Sequence, residues 1–148
     1  MVGTYEHNVD SKNRIIIPAK FREELGESFY LTIGYDRSIR AFSDAEFENY
    51  KKHIDDAPEE DASVRELRRF LYAFTEHLEL DKQGRIVLPP RLKAFSMINS
   101  EVVIVGQSKY AEIWAKENWS WDFDFEGNDP NNLLSSIAKY KNPPVVNL

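Results

Sequence analysis

An aspartate and an arginine recur together, at one spacing, in the two halves of this chain of 148 residues. The first copy, Asp10–Pro18, reads DSKNRIIIP, and the second, Asp81–Pro89, reads DKQGRIVLP and lies 71 residues further on. Both copies read aspartate, three residues, arginine, three branched aliphatic residues and proline. A repeat of this kind indicates two equivalent structural units, each with one copy of the Asp/Arg pair.

The Asp/Arg pair suits recognition of a polyanion. An arginine held on a tight turn presents a planar donor fork that fits a phosphate, or the O6/N7 edge of guanine. A two-stranded β-ribbon is narrow enough to carry such an arginine into the major groove of DNA. The pair also fits a structural reading, in which the carboxylate accepts backbone N–H groups of the turn and forms a salt bridge to the arginine.

Positive charge is concentrated in the two repeats. The chain carries a net charge of −6, whereas residues 10–22 and 81–93 each carry four cations against one carboxylate, a net +3, so the other residues carry −12. A local basic surface on an acidic protein can bind polyanions without coating the whole molecule. Ordinary solvated lysines and arginines would give the same count.

The sequence lacks the residue patterns that are typical of catalysis or metal binding. It has no cysteine, its three histidines (His7, His53 and His77) lack metal-ligand spacing, and it has no glycine-rich phosphate loop. We therefore expect neither an enzyme nor a cofactor or small-molecule substrate. With no signal-peptide pattern and no apolar run of about 18–20 residues, we expect a cytoplasmic protein without a membrane partner.

Each repeat predicts a strand, a tight turn and a second strand, forming a β-hairpin. In the first copy the strand over 5–10 leads through 11–13 into a buried strand, Arg14–Ile17, whose three isoleucines we assign to the core. The turn position held by Asn13 and Gly84 suits a positive φ in both copies. Pro18 then predicts a helix over 19–25, ended by Gly26.

The following segments also repeat, with a one-residue insertion. Strands are predicted over 29–33 and 39–42, with counterparts at 101–105 and 111–114. A capping box, Ser43 to Glu46, predicts one helix, and a second helix is predicted over about 59–74. The second helix carries three arginines, Arg65, Arg68 and Arg69. They could form a second basic patch, but we expect them to pair with Glu66 or with the acidic run 59–61. Beyond residue 121 we expect a linker over 122–132, then a short amphipathic helix carrying Leu133, Leu134, Ile137 and Tyr140.

These motifs resemble the MraZ family, bacterial transcriptional regulators encoded at the head of the division and cell-wall gene cluster. The resemblance covers residues 1–121 and is carried by the two Asp-x-x-x-Arg elements, by IPAKFR at 17–22 and by Phe70–Pro90. It implies an α+β fold of the AbrB/SpoVT type, with two pseudo-symmetric hairpin halves interlocked as a swapped-hairpin barrel flanked by helices. The implied division is 1–57 for the first half, 58–75 for a connecting helix, 76–121 for the second half and 122–148 for a tail.

The resemblance also implies a function and a set of site residues. Members are expected to form ring-shaped homo-oligomers that bind double-stranded DNA at tandem promoter boxes, in the cytoplasm at the nucleoid. Arg14 and Arg85 correspond to DNA-contacting arginines. The weaker correspondences, as phosphate contacts, are Lys12, Lys82, Lys20, Arg22, Arg91 and Lys93. The residues expected to shape the turns are Asp10, Asn13, Asp81 and Gly84.

One alternative comes from a different class of protein. An antitoxin-like interaction module would use the tail over 122–148 to bind a partner protein, with DNA binding secondary. Its support in the sequence is the apolar side chains of that tail.

Overall fold

The computed structural model describes residues 1–119 and 129–140, which belong to two compact units, Met1–Asn118 and Trp119–Leu148. The first unit is a mixed α+β structure with antiparallel sheets, as expected. Its strands are β1 (Thr4–Asn8), β2 (Arg14–Ile16), β3 (Ser28–Ile33), β4 (Ile39–Phe42), β5 (Glu76–Glu79), β6 (Arg85–Val87), β7 (Glu101–Gly106) and β8 (Ala111–Ala115). Its helices are α1 (Ala19–Leu25), α2 (Asp44–Asp56), α3 (Ala62–Phe74) and α4 (Pro90–Ser96).

The strands of the two repeats are intermixed. One six-stranded sheet has the order β1-β7-β8-β4-β3-β5, and β2 pairs with β6 in a separate two-stranded ribbon. β1, from the first repeat, therefore pairs with β7 of the second, and β5, from the second, pairs with β3 of the first. No closed barrel is found among residues 1–119, since the sheet ends on one side at β1 and on the other at β5.

The predicted hairpins differ from the observed pairing. β3 with β4 and β7 with β8 form the expected antiparallel hairpins. By contrast, β1 and β2 are joined by a tight turn but lie in different sheets, and the same is true of β5 and β6. Local sequence marks the strands and the turn, but the choice of partner depends on segments far away along the chain, as in the pairing of Leu31 with Glu76 and of Thr4 with Val105, which turn chemistry does not encode.

Helices α1 and α2 begin at the predicted signals. Pro18 precedes α1, whose Phe21 and Leu25 are buried, and Gly26 follows it with φ 88°. The Ser43 hydroxyl accepts the N–H of Glu46 at 3.2 Å, which confirms the N-cap of α2. α3 begins at Ala62, three residues later than predicted.

Two arginines of α3, Arg65 and Arg68, bind backbone carbonyls rather than the carboxylates that we expected. Arg65 donates to the carbonyls of Glu59 and Glu60 at 3.0 Å each. Arg68 donates to the carbonyls of Asp55, at 2.6 Å, and Ala57, at 3.1 Å. The end of a helix leaves carbonyls without intrahelical donors, and a nearby guanidinium satisfies them.

The core contains repeat-equivalent residues from both halves. Ile15 and Ile17 are buried, as are their counterparts Ile86 and Leu88, and Phe21 on α1 matches Leu92 on α4. The assignment of all three isoleucines of the first copy to the core was wrong for Ile16, which is exposed. Successive strand residues point to opposite faces, so the middle residue of the run faces outward.

In the second unit, the structure describes Trp119 and residues 129–140. α5 (Pro130–Ser135) is followed by a 3-10 turn over Ser136–Tyr140, which confirms a helical segment there. Most of the predicted linker over 122–132 lies outside the described residues. Among the helices that the structure describes, none combines the length and the apolar content that crossing a membrane requires.

Candidate nucleic-acid interface

The two Asp/Arg turns have the same hydrogen-bond geometry. In the first, Oδ1 of Asp10 accepts the backbone N–H groups of Lys12 and Arg14 at 2.9 Å each, and Oδ2 accepts the Arg14 Nε–H at 2.7 Å. In the second, Asp81 accepts from Gln83 N, Arg85 N and Arg85 Nε at 2.9, 2.9 and 2.7 Å. One carboxylate thus closes the turn and fixes the arginine, so the structural and functional readings of the pair are compatible.

Both aspartates are held in their charged form. The backbone N–H of Arg14 is the largest cause that lowers the pKa of Asp10, and the N–H of Arg85 does the same for Asp81. Partial burial works in the opposite direction, and the arginine side chains lower the pKa values further. A deprotonated carboxylate has only acceptors, which suits three converging donors.

The turn residues Asn13 and Gly84 adopt the same left-handed backbone. Their φ angles are 59° and 76°. Glycine meets no steric cost there, and asparagine is among the residues that tolerate it. The carbonyls of both residues also accept hydrogen bonds from the opposite repeat: Gly84 from Ile17 N at 2.9 Å and Asn13 from Leu88 N at 2.8 Å.

The ribbon of β2 and β6 brings the two arginines onto one face. In its antiparallel ladder Arg14 lies opposite Val87, Ile15 opposite Ile86 and Ile16 opposite Arg85. Directly opposed residues share a face, and the Ile15–Ile86 pair is buried, so the other four side chains face outward. The Arg14 and Arg85 side chains are 26% and 25% exposed.

Each arginine keeps hydrogen-bond donors that its aspartate does not bind. Nε is bound by the aspartate, whereas the Nη atoms of Arg14 and Arg85 have no hydrogen-bond partner among the described residues. Two Nη groups in one plane are the end-on donors for a phosphate or for guanine O6 and N7. The aspartates therefore orient the arginines and leave the outer end of each guanidinium available.

Two of the residues expected to contact phosphates, Arg22 and Lys93, lie against the turns of the opposite repeat. The Lys93 Nζ donates to Oδ1 of Asn13 at 2.6 Å. The guanidinium of Arg22 lies over Gly84, so close that a Cβ there would be 2.2 Å from its Nη1. Arg22 and Lys93 occupy equivalent repeat positions, so each half supports the turn of the other. The sequence carries no specific signal for this arrangement, because many positions differ between the repeats and the contacting residues lie far apart along the chain.

The remaining predicted cations are distributed around the ribbon. Lys12 and Lys82 are exposed in the two turns, at opposite ends of the antiparallel ribbon, and form no ion pair with any described residue. Lys20 is exposed on α1. Arg91 lies 5.9 Å from the ring centroid of Phe74. The ribbon thus combines two oriented arginines with a lysine near each end.

The fold and the site define a chain built from two copies of one unit, each presenting an arginine fixed by an aspartate. The family model described as "MraZ protein, putative antitoxin-like" matches residues 1–70 and again residues 71–124.

Similar proteins come from several bacteria and carry the name "Transcriptional regulator MraZ". The relative from Caldanaerobacter subterraneus subsp. tengcongensis is 43% identical over 131 residues, which cover 85% of this chain and 92% of the relative. The relative from Acetivibrio thermocellus is 41% identical over 137 residues, 93% of each chain. That from Clostridium tetani is 39% identical over 138 residues, 93% of this chain and 94% of the relative. The chain belongs to the MraZ family, which confirms the resemblance seen in the sequence.

Proposed function

We propose that the chain is a transcriptional regulator that binds double-stranded DNA through the outer face of the β2–β6 ribbon. The observation that carries the proposal is the pair of guanidinium groups on this face, each fixed through Nε and with no Nη partner in residues 1–119 and 129–140. The name shared by the relatives supports the same function. Arg14 and Arg85 contact base edges, and Asp10, Asn13, Asp81 and Gly84 hold the turns in shape.

The lysines give the sequence-independent part of the affinity. Lys12, Lys82 and Lys20 are exposed and bind phosphates, and each phosphate contact makes the affinity more dependent on salt. The contacts of Arg22, Lys93 and Arg91 within the protein favour supporting roles over direct phosphate binding. No catalytic role and no cofactor is part of the proposal.

The exchange of β1 and β5 between the repeats supports a swapped-hairpin arrangement of the AbrB/SpoVT type. We further propose a ring-shaped homo-oligomer acting in the cytoplasm, at the nucleoid, on tandem boxes upstream of the division and cell-wall gene cluster. Leu67 and Phe70, exposed on α3, favour self-association. Several ribbons on one DNA would raise the avidity by about 10²–10⁴-fold over a single ribbon.

The test is selection from a randomised duplex pool, followed by binding titrations across a salt series. The wild type should enrich a repeated box, and the Arg14→Ala/Arg85→Ala variant should lose its preference for that box over random duplex. Lys12→Ala/Lys82→Ala should instead reduce the slope of log affinity against log salt by about 2.

The matched control removes two cations from another surface, in Lys52→Ala/Arg69→Ala, and should bind like the wild type. Circular dichroism must show that all variants are folded. If the folded double-arginine variant still selects the wild-type box, the assignment of the ribbon as the DNA-reading surface is wrong.

A second candidate, the antitoxin-like module, is favoured by the exposed apolar side chains of the second unit. Leu133, Leu134 and Ile137 are exposed. Deleting residues 129–148 should leave DNA binding intact under the main proposal. Loss of a co-purifying protein partner, with unchanged DNA binding, would favour the second candidate.

A further inference from the structure

Two aliphatic side chains lie on the outer face of the ribbon, at equivalent positions in the two repeats. Ile16 is 44% exposed and Val87 is 55% exposed, whereas Ile15 and Ile86 on the inner face are 1% and 2% exposed. A single exposed aliphatic residue needs no explanation. Here, however, both repeats place one on the face that carries the arginines, where a polar side chain would satisfy the strand pattern equally well.

Each aliphatic residue is paired with one arginine. Val87 lies directly opposite Arg14, and Ile16 directly opposite Arg85. Cβ atoms of directly opposed residues in an antiparallel ladder are about 4.5–5.5 Å apart. The face therefore presents two composite units, each a fixed guanidinium with a branched apolar group beside it.

The major groove of DNA offers a matching pair of features. Guanine presents O6 and N7 as acceptors, and thymine presents its C5-methyl group, the apolar group that side chains contact there. We infer that each arginine and its opposed aliphatic residue form one reading unit, in which the aliphatic side chain contacts a thymine methyl close to the guanine that the arginine binds. This inference rests on the proposed DNA binding and extends it to a second base.

The ladder also sets the spacing of the two units. They are separated by two residues along the strands, which at about 3.3–3.4 Å per residue is close to 7 Å. Successive bases along one strand of DNA rise by about 3.4 Å. With the ribbon lying along the groove, the two units contact bases about two steps apart.

The experiment removes one methyl group at a time from the DNA. The probe is the duplex most enriched from the randomised pool, resynthesised with deoxyuridine in place of each thymidine in turn, a change that deletes only the C5 methyl. We expect one or two positions at which deoxyuridine weakens wild-type binding about fourfold, the ratio that corresponds to one buried methylene-sized group.

The protein variants assign those positions to side chains. Val87→Ser and Ile16→Ser remove every methyl group from the side chain and leave a small hydroxyl, which cannot contact a thymine methyl. Each should abolish the deoxyuridine penalty at one position and leave it at the other. Val2→Ser, at an aliphatic residue that is 78% exposed outside the ribbon, is the matched control and should keep both penalties.

Three results would overturn the inference while DNA reading by the arginines stands. In the first, the enriched box has no thymine inside its protected footprint. In the second, deoxyuridine has no effect at any position. In the third, both serine variants keep the wild-type penalties; if they also lower the oligomer mass in light scattering, the face is a contact between copies of this chain. If no box is enriched at all, the proposed function itself fails.

Discussion

Replacing Gly84 by alanine tests whether the turn of the second repeat depends on glycine in the way that its geometry indicates. Gly84 has φ 76°, and a Cβ there would lie 2.2 Å from Nη1 of Arg22 and 2.5 Å from its Cζ. The contact is with the far end of a flexible side chain, which can move aside. The backbone conformation cannot be relieved in the same way without opening the turn.

The expected loss of stability is the difference between two contributions, the cost of the left-handed backbone conformation and the gain from a less flexible unfolded chain. A left-handed conformation costs an alanine about 1–2 kcal/mol, whereas the lower entropy of the unfolded chain returns about 0.4–1 kcal/mol. We therefore expect Gly84→Ala to lower the free energy of unfolding by about 1 kcal/mol, mostly through φ. Most of this loss should persist in an Arg22→Ala background, from which the steric contact is absent.

Asparagine provides the matched comparison, because the equivalent residue Asn13 has φ 59°. Gly84→Asn should destabilise less than Gly84→Ala. Combining it with Arg22→Lys copies the Asn13–Lys93 pair of the first repeat and should restore stability further.

The assay is urea unfolding at neutral pH and one fixed protein concentration, because self-association would otherwise change the apparent stability. Equal m values are required for the comparison to report stability alone. The argument from backbone conformation is refuted if Gly84→Ala is as stable as the wild type. It is also refuted if Gly84→Ala and Gly84→Asn lose the same free energy of unfolding. Disappearance of the alanine loss in the Arg22→Ala background would make the steric contact the cause.

Three further predictions use the same unfolding measurement. Gly106→Ala should lower the free energy of unfolding by more than Gly84→Ala does. A Cβ at Gly106 would lie 2.4 Å from backbone atoms of the N-terminal segment, which cannot move aside as a flexible side chain can. A smaller loss than that of Gly84→Ala would contradict this explanation. Because backbone N–H groups lower the pKa values of Asp10 and Asp81, their contribution is complete above about pH 4 and is lost as the pH falls through the lowered values. In the variant Asp10→Asn/Asp81→Asn, the free energy of unfolding, followed by circular dichroism, should depend less on pH than in the wild type. An unchanged pH profile would show that the two aspartates do not contribute to the acid sensitivity. Ser43→Ala should cost about 1 kcal/mol by removing the N-cap, and no loss would mean that Glu46 N is satisfied in another way.

Much of the site was predictable because its hydrogen bonds are local. The Asp10 carboxylate binds groups two and four residues further along the chain, so residue type and spacing are enough to predict the turn. The positive φ at Asn13 and Gly84 was predictable for the same reason, as residues able to adopt that conformation stand at one repeat position. Helix α1 was predicted from its proline, its apolar spacing and the glycine after it.

The strand partners were not predictable by this means. The register that sets Arg14 opposite Val87 joins segments about 70 residues apart, and any strand with a similar apolar pattern could have been the partner. Burial of Ile15 and exposure of Ile16 depend on that register, as does the contact of Lys93 with Asn13.

Residue types and their spacing are enough to predict two equivalent turns, each with an arginine beside an aspartate that can orient it. The fold adds that both arginines lie on one face of one ribbon, each opposite an exposed aliphatic side chain. The physical reason is the range of the interactions. Hydrogen bonds within five residues shape each turn, whereas long-range strand pairing and the burial of Ile15 against Ile86 bring the two turns together and decide what they present outward.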